Sequence, residues 1–444
     1  MKYRILPAIL MVTALKLEAQ QEMMLNSLPD LWHSTTVNPA YFPKDKHFVI
    51  GLPGYSLDAA HTGSLTYNDI FIKDGDRTLL NFSKAIGALD PQNEVFFEQR
   101  IETVSLGLAL GKWRLQAGHA NRFSGVLNYP KSLPELIWNG NAPYIGQVVD
   151  VALQAKLFNW NEWSAGLSRE FGRLTIGARL KYLSGTSALK TDDDHHLATI
   201  YTNPDIYQLE METDYGFHSS AIVSAFDTSG LGFDLQLAKV KGKPFSSNSG
   251  IAFDLGLQLR VTDKLSLSAS LLDWGGTIKW KENANYFRSQ GKYNYEGVSF
   301  PGGDILNSGD SLDFESKLDT LNDIFNFKKT PEEFSTRLPE RAYLSGSFAL
   351  TEKWTLSVGY FYMKKADRQA TSAVSASVRW QPVRWLSLGG MYSLNERSAA
   401  NLGFHLALKP GPVQVYFASD NLLNAFSIKS SPAVNLRAGV AVLL

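Results

Sequence analysis

The stretch Ile251–Val261, with the sequence IAFDLGLQLRV, alternates at every step between a large apolar residue and a small or polar one. In an extended strand, successive side chains point to opposite faces. One face of this strand would carry Ile251, Phe253, Leu255, Leu257, Leu259 and Val261. The opposite face would carry Ala252, Asp254, Gly256, Gln258 and Arg260. The two faces of such a strand must meet different surroundings.

The same period-two alternation returns in Gln147–Leu157, Arg173–Tyr182, Asn401–Leu408 and Asn435–Leu444. These segments run about nine to eleven residues, the length that a tilted strand needs to cross a bilayer. Strands of soluble proteins are usually nearer five or six residues, and a soluble sandwich seldom needs so many long ones. The pattern therefore predicts an all-β transmembrane outer-membrane β-barrel of antiparallel strands. Its apolar faces meet lipid and its polar faces line the lumen.

Short polar turns, most with a basic residue before a Trp or Leu that opens the next strand, separate many of these segments. They are Gly111-Lys112-Trp113, Gly172-Arg173-Leu174, Thr262-Asp263-Lys264-Leu265, Thr351-Glu352-Lys353-Trp354, Val383-Arg384-Trp385 and Lys409-Pro410-Gly411-Pro412. Long connections fall at 58–96, 124–146, 185–249 and 282–339. Tight turns at one end and long loops at the other are typical of barrels with periplasmic turns and extracellular loops. The Trp residues would then lie at the membrane–water boundary.

The number of strands follows from these turns. Nine strands are predicted from residue 250 to the end and five before it, which gives about 14, an allowed even number. Residues 195–214 contain further strand-like pieces. If they form a hairpin that reaches the membrane, the count becomes about 16.

The N-terminus has the pattern of an export signal. A short basic stretch precedes the apolar run Ile5–Leu15, which is too short to span a bilayer, and cleavage is predicted after Ala19. Residues 1–19 are thus interpreted as a signal peptide, with an ordinary buried N-terminal helix as the alternative. Together with the barrel pattern, this predicts the outer membrane of a Gram-negative bacterium, reached through a cleaved signal peptide.

Residues 20–46 are too irregular for a membrane strand and too apolar for a free tail. Asn38-Pro39 initiates a turn, because Pro fixes its own φ and biases Asn away from helix. We predict that this segment plugs the lumen of a barrel formed by residues 47–444. The alternative is a periplasmic extension.

Composition and motifs exclude several classes of function. Among 444 residues, 43 Lys and Arg balance 43 Asp and Glu, so no basic surface for nucleic acid is expected. The absence of Cys excludes disulfides, thiolate metal sites and a cysteine nucleophile. Neighbouring residues of Asp192–His196 would point to opposite faces, so no metal site is predicted. No phosphate loop or hydrolase motif is present, and we predict a non-enzyme without a cofactor.

Charged residues on the polar faces would point into the lumen. They are Asp150, Lys156, Arg179, Lys181, Asp254, Arg260, His405 and Arg437. Both signs occur, which indicates a network of ion pairs in a narrow or plugged interior rather than an open, ion-selective pore.

Three motifs carry a resemblance: Asn38-Pro39-Ala40, Gly51-Leu52-Pro53-Gly54 and Leu271-Leu272-Asp273-Trp274-Gly275-Gly276. With the signal peptide, they resemble a Bacteroidetes family of outer-membrane barrels of unknown function. That family is similar to the long-chain fatty acid transporter barrels and to the barrel proteins of type IX secretion. In the transporters the Asn-Pro-Ala segment belongs to an N-terminal hatch. The resemblance implies such a hatch at Asn38, Pro39 and Ala40.

Three functions stay open. A plugged barrel could pass small hydrophobic molecules across the outer membrane, which the resemblance favours and which predicts an apolar pocket near the hatch and a lateral gap in the wall. A non-enzymatic scaffold in a secretion or surface-assembly complex would bind partner proteins through its long loops. An outer-membrane hydrolase would need Ser, His and an acid at the barrel rim. The expected partners are outer-membrane lipid and either a small apolar ligand or secretion-complex proteins.

Overall fold

The computed structural model describes residues 23–63, 65–74, 77–221, 245–295, 327–364, 370–395, 401–421 and 433–444. The predicted signal peptide, residues 1–19, and the first residues of the predicted plug, 20–22, lie outside the described residues. Cleavage after Ala19 therefore stays a prediction.

The described residues form twenty-one strands. In chain order they are β1 Phe48–His61, β2 Phe71–Asp74, β3 Arg77–Leu80, β4 Gln92–Leu110, β5 Trp113–Pro130, β6 Val148–Asp150, β7 Gln154–Phe171, β8 Leu174–Thr202, β9 Leu209–Ser220, β10 Ser249–Arg260, β11 Leu265–Trp280, β12 Ala284–Tyr295, β13 Lys328–Pro331, β14 Phe334–Arg337, β15 Glu340–Ala349, β16 Trp354–Lys364, β17 Ala370–Val383, β18 Leu386–Asn395, β19 Asn401–Leu408, β20 Val413–Ser419 and β21 Ala433–Leu443.

Fourteen of these strands close a ring, each antiparallel to its two neighbours. The ring runs β1, β4, β5, β7, β8, β10, β11, β15, β16, β17, β18, β19, β20 and β21, and β21 pairs back to β1. The predicted all-β barrel of 14 strands is confirmed. The alternative of 16 is wrong, because β9 pairs with β8 and β12 outside the ring.

The helices are short and form no part of the wall. They are α1 Met23–Asn26, α2 Tyr67–Ile70, α3 Phe82–Gly87 and α4 Ser132–Asn139, with 3₁₀ turns at Trp32–Thr36 and Ala142–Tyr144. None of the helices in the described part of the chain is long and apolar enough to cross a membrane.

The orientation of β10 decides which solvent each face meets. Phe253 and Leu255 are about half exposed on the outer face, at 46% and 45%, whereas Asp254 between them is fully buried. Large apolar side chains face outward and a charge faces inward, which is the reverse of the arrangement in a soluble protein. Lipid is the solvent that such an outer surface fits.

The two ends of the barrel differ. Two-residue turns such as Gly111-Lys112 and Gly172-Arg173 define the short-turn end, and φ of +58° at Gly111 and +62° at Gly172 is a conformation that glycine adopts without strain. At the opposite, long-loop end, β8 continues beyond the ring and pairs with β6 and β9. There β9 also pairs with β12, which extends the sheet above the barrel.

One predicted strand is inverted at the long-loop end. In Gln147–Leu157 we expected Val149 and Val151 to meet lipid and Asp150 to face the lumen. Instead Val149 and Val151 are buried, at 6% and 8%, and Asp150 is exposed. These valines pack in a small cluster with Ile200 of the extended sheet. Above the lipid, water surrounds the sheet, so the apolar face turns inward.

Candidate functional site in the barrel interior

The N-terminal segment, defined here as residues 23–46, lies against the inner wall. Backbone groups of this segment bond to inward side chains of several strands: Trp32 N to Gln414 Oε1 at 2.8 Å, and Ser270 Oγ to the Val37 carbonyl at 2.6 Å. From β8, Arg179 Nη2 donates to the Thr35 carbonyl at 2.6 Å. Wall side chains thus satisfy backbone groups that would otherwise be buried without partners.

Asn38, Pro39 and Ala40 form a tight turn at the wall. Asn38 is fully buried, its Oδ1 accepts a bond from Ala40 N at 2.9 Å, and its Nδ2 donates to the Leu257 and Ala269 carbonyls at 3.2 and 3.3 Å. A Cβ at Gly177 would lie 2.5 Å from the Pro39 carbonyl carbon. Glycine at this inward position therefore makes room for the turn.

The first residues of the segment fill an apolar pocket between β15 and β20. The pocket is lined by one cluster of buried side chains. Its members are Met23, Met24, Leu25, Leu28, Leu31, Val37, Leu272, Tyr343, Phe361, Met363, Ala373, Met391, Ala407, Tyr416 and Ala418. The Met24 N–H donates to Asp420 Oδ1 at 2.9 Å, which fixes the chain at the rim of this pocket.

Next to the segment lies a belt of charged side chains, called here the charge layer. It consists of Glu98, Arg100, Arg122, Glu162, Arg179, Lys181, Asp254, Asp273 and Arg341. Asp273 is its hub: Lys181 Nζ lies 2.7 Å from Oδ1, Arg122 Nη1 3.0 Å from Oδ1 and Arg341 Nη1 2.9 Å from Oδ2. All four of these side chains are buried, so the belt places paired charges in the barrel interior.

The charge layer is bonded to the N-terminal segment. Arg179 Nη1 lies 3.4 Å from Asp254 Oδ2, and its Nη2 donates to Gln116 Oε1 as well as to Thr35. Gln116 in turn donates to the Tyr41 carbonyl at 3.0 Å. Displacing the segment would leave buried donors of the wall without acceptors.

A second buried ion group lies at the seam where β21 closes on β1. Arg437 Nη2 lies 2.9 Å from Asp58 Oδ2, and Nη1 lies 2.9 Å from Asp420 Oδ2. Because Asp420 also accepts from Met24 N, this group ties the barrel seam to the first residues of the segment.

The structure brings together some of the predicted lumen charges. Arg179, Lys181, Asp254, His405 and Arg437 are buried in the interior. His405 Nε2 lies 3.1 Å from Ser387 Oγ, but within the described residues no group bonds its Nδ1. A Ser-His-acid set is therefore incomplete at this point of the described structure.

The other three predicted charges lie elsewhere. Asp150 is exposed above the lipid, and Lys156 pairs at 2.9 Å with Asp193, whose side chain is 63% exposed. Arg260 shares the inward phase of its strand but lies in solvent at the short-turn rim, where it donates to the Gly172 carbonyl. Asp150 was thus wrongly predicted to face the lumen, whereas Lys156 and Arg260 keep the inward phase of their strands but lie near the strand ends, outside the charge layer.

Four central charges were not predicted: Arg122, Glu162, Asp273 and Arg341. Arg122 and Glu162 stand at polar positions of long strands, and that pattern could have revealed them. Asp273 shares the odd-numbered phase of Leu267 and Leu271, which alternation alone would place on the outer face. Its φ of +58° and the bulge around it turn its carboxylate into the interior.

The wall is irregular beside this hub, in a segment called here the wall bulge (residues 273–276). On one side, Phe253 pairs with Trp274 and Leu255 with Leu271, so a single residue opposes two. On the other side, β11 pairs with β15 as far as Leu272 and with β14 only from Thr277 onward. A bulge of this kind interrupts the ladder and bends the strand.

Above the charge layer, toward the long-loop end, lies the upper apolar cluster. It contains Phe158, Trp160, Leu183, Ala188, Ala252, Ile278, Trp280, Ala284 and Leu338. The Arg122 guanidinium lies 4.8 Å from the Trp160 ring centroid, where cluster and charge layer meet. Ala252 and Leu338 also lie directly behind Gly276 of the wall bulge.

A small polar cavity of about 30 Å³ remains between the segment and the charge layer. Thr36, Asp58, Arg100, Leu272 and Asp273 are among its lining residues. This lining differs from the apolar pocket that we expected next to the hatch. In the described ranges, no three His, Asp or Glu side chains converge on a point that could hold a metal ion.

The acidic run at Asp192–His196 is divided among separate partners on the extended sheet. Asp193 pairs with Lys156, and His195 Nδ1 lies 3.1 Å from Asp214 Oδ2. Burial opposes ionisation of Asp214, but bonds from Arg288 and His195 outweigh it and hold the pKa of this carboxyl below its usual value.

Comparison with known proteins gives a family and several similar folds. The model of a family of unknown function, DUF5723, matches residues 39–420. No curated protein sequence is significantly similar to the chain.

Three solved structures are among those similar to this chain. The Ralstonia pickettii toluene transporter TbuX is 10% identical over 93% of both chains, with a TM-score of 0.45. The Pseudomonas putida toluene transporter TodX is 10% identical over 92% of both, with a TM-score of 0.43. A Pseudomonas aeruginosa FadL homologue is 12% identical over 92% of this chain and 90% of that one, with a TM-score of 0.40. Likeness at this level carries no argument about what the present chain binds.

Proposed function

The chain belongs to the family of unknown function DUF5723, and on that premise we propose that it is an outer-membrane barrel through which small hydrophobic molecules pass. The N-terminal segment acts as its plug, with Asn38, Pro39 and Ala40 as the hatch. Residues 1–19 are removed during export. The mature chain has no catalytic role.

The position of the wall bulge carries this proposal. The wall bulge lies between the upper apolar cluster and the charge layer. Two residues of the cluster, Ala252 and Leu338, lie behind Gly276, and the hub of the charge layer is Asp273. An apolar molecule that enters from the long-loop end meets apolar side chains first. Further descent would bring it against buried paired charges, whose desolvation is costly. Between Leu272 and Thr277 the only backbone bond from β11 toward β14 and β15 that the described structure shows is Leu338 N to the Gly276 carbonyl, at 2.9 Å. This weakly paired part of the wall is the proposed sideways exit into lipid.

The proposal is tested by closing the bulge. A Cβ at Gly276 would lie 3.1 Å from Leu338 Cβ, a few tenths of an ångström below the range of about 3.5–4.5 Å between the Cβ atoms of a disulfide, so a small shift of the two strands allows the bond. The chain has no cysteine of its own, so Gly276→Cys with Leu338→Cys forms a single cross-link. A matched control is Gly118→Cys with Ser105→Cys, at the same 3.1 Å but across a regular ladder.

Uptake of the fluorescent hydrophobic probe N-phenyl-1-naphthylamine is measured in Gram-negative cells that make each variant. We expect faster uptake than in cells without the protein. Oxidation should slow it in the Gly276–Leu338 variant alone, and reduction should restore it. Equal uptake with and without the protein, or equal effects of oxidation in both variants, would overturn the proposal.

One observation favours the scaffold as a second candidate. The extended sheet presents apolar side chains to solvent around its tip, with Leu197, Ile206 and Tyr207 exposed at 47%, 65% and 64%. Exposed apolar residues at the tip of a long loop are typical of surfaces that bind protein partners. Affinity purification from the native membrane, with Ile206→Ser and Tyr207→Ser together as the comparison, tests it. A partner retained equally by both forms would speak against this surface.

A further inference from the structure

One arginine stands on the lipid-facing surface near the short-turn end. Arg169 follows Leu167 and precedes Phe171 on β7, with Ser168 buried between them. Leu167 and Phe171 are exposed on the outer face, at 43% and 50%. Because alternate residues share a face, the Arg169 side chain lies among outward apolar residues.

The guanidinium of Arg169 lies against two aromatic rings. Its Cζ is 4.6 Å from the Trp113 ring centroid and 4.9 Å from that of Phe171. Trp113 is also its partner across the β5–β7 ladder. Rings on two sides hold the planar guanidinium by cation–π attraction and fix its position.

This cation lacks a protein counter-ion in the described structure. Its Nε is buried without a hydrogen-bond partner, and no carboxylate lies within ion-pair distance of its nitrogens there. The neighbouring Glu170 belongs to the inner face and pairs with Arg260. An unpaired charge on a lipid-facing surface is costly, unless a group of opposite charge comes from the membrane itself.

We propose that Arg169, with Trp113 and Phe171, binds the phosphate of a phospholipid in the leaflet at the short-turn end. Aromatic residues of barrels lie at the level of the lipid headgroups, which puts phosphates within reach of this arginine. The planar guanidinium can donate two parallel hydrogen bonds to two oxygens of one phosphate, while the aromatic rings contact the adjacent acyl carbons. This site is separate from the route of hydrophobic passage.

A second arginine at the same end provides the matched control. Arg173, in the following turn, donates through Nη1 to the Val261 carbonyl at 2.7 Å, and its Nη2 lies 3.8 Å from Asp263. Its guanidinium is therefore already engaged by the protein. Loss of either arginine changes the net charge equally, but only Arg169 is expected to hold lipid.

The test is native mass spectrometry of the full-length protein in detergent, titrated with palmitoyl-oleoyl-phosphatidylglycerol. We expect Arg169→Gln to weaken the tightest lipid-binding event about fivefold, and Arg173→Gln to leave it unchanged. Arg169→Lys keeps the charge but loses the planar fork, and an intermediate affinity is expected. Equal affinity of wild type and Arg169→Gln, or an equal loss in both Gln variants, would overturn the proposal.

Two further measurements keep the result interpretable. If Arg169→Gln fails to fold, as judged by the loss of heat-modifiable migration in electrophoresis, Trp113→Leu with Phe171→Leu replaces it and should also weaken binding. Inorganic phosphate is added as a competitor. Because acyl chains contribute to the site, millimolar phosphate should not displace the lipid, and displacement would show a phosphate site without lipid specificity.

Discussion

Replacing Asp273 by Asn tests the charge layer at its hub. The change keeps the size of the side chain but removes the negative charge. Lys181, Arg122 and Arg341 bond to this carboxylate at 2.7, 3.0 and 2.9 Å. Breaking a buried ion pair by removing one partner typically costs about 3–5 kcal/mol, because the remaining charge stays buried. That cost lowers the folding equilibrium constant by about a hundredfold to a thousandfold or more.

Urea unfolding of the barrel in phospholipid vesicles measures this free energy. Asp263→Asn is the control, because the Asp263 side chain is fully exposed in a turn, and it should stay within about 0.5 kcal/mol of wild type. Adding Lys181→Met to Asp273→Asn restores the charge balance. The double variant should therefore be more stable than the sum of the two single losses predicts, by about 0.5–3 kcal/mol. Asp273→Asn with wild-type stability, or strict additivity of the two changes, would refute the reasoning.

Three further predictions follow from other parts of the molecule. Leu255→Arg, midway along the lipid-facing side of β10, should lower the free energy of unfolding in vesicles by about 2–4 kcal/mol. Leu259→Arg, near the turn, should lower it by at most about 1 kcal/mol. Equal losses would contradict the contact of this face with lipid. Gly177→Leu should push the turn at Asn38, Pro39 and Ala40 away from the wall and make the N-terminal segment accessible to protease. Unchanged protection would show that the wall does not hold the segment. Hydrogen bonds from Thr66 hold the pKa of the Asp69 carboxyl below its usual value. The N-terminal cap of α2 should therefore be fully formed at any pH above the usual pKa, and it should weaken as the pH falls through the lowered pKa. The protection factors of the amides of residues 66–70, which are corrected for the intrinsic slowing of exchange in acid, should fall over that range, and Asp69→Asn should abolish this pH dependence.

The barrel could be predicted from sequence because one physical constraint repeats in every strand. Each strand that crosses lipid must show apolar side chains to one side, and period two makes this visible in a stretch such as Ile251–Val261. The same pattern does not say which face is outside. In Gln147–Leu157 the alternation is equally clear, but the strand lies above the lipid and its apolar face is buried.

The charge layer could be predicted only in part, because it is assembled from distant segments. Arg122 and Asp273 meet at 3.0 Å although 151 positions separate them in the chain. Strand alternation assigns Asp254 and Lys181 to the inward phase, and both are buried in the structure, but no local pattern pairs them. The bulge at Asp273 shifts the strand phase, so simple alternation fails where the wall is interrupted.

Site-directed spin labelling of β10 tests the central claim most directly, namely that acyl chains surround the apolar face and the charges are enclosed. Because the chain contains no cysteine, single cysteines at each position from Phe253 to Gln258 can be labelled one at a time in vesicles. The account predicts high collision rates with oxygen, which partitions into lipid, at 253, 255 and 257, and low rates at 254 and 256. High collision rates with a water-soluble nickel chelate at the odd positions, or immobilised labels without access to either reagent there, would contradict it.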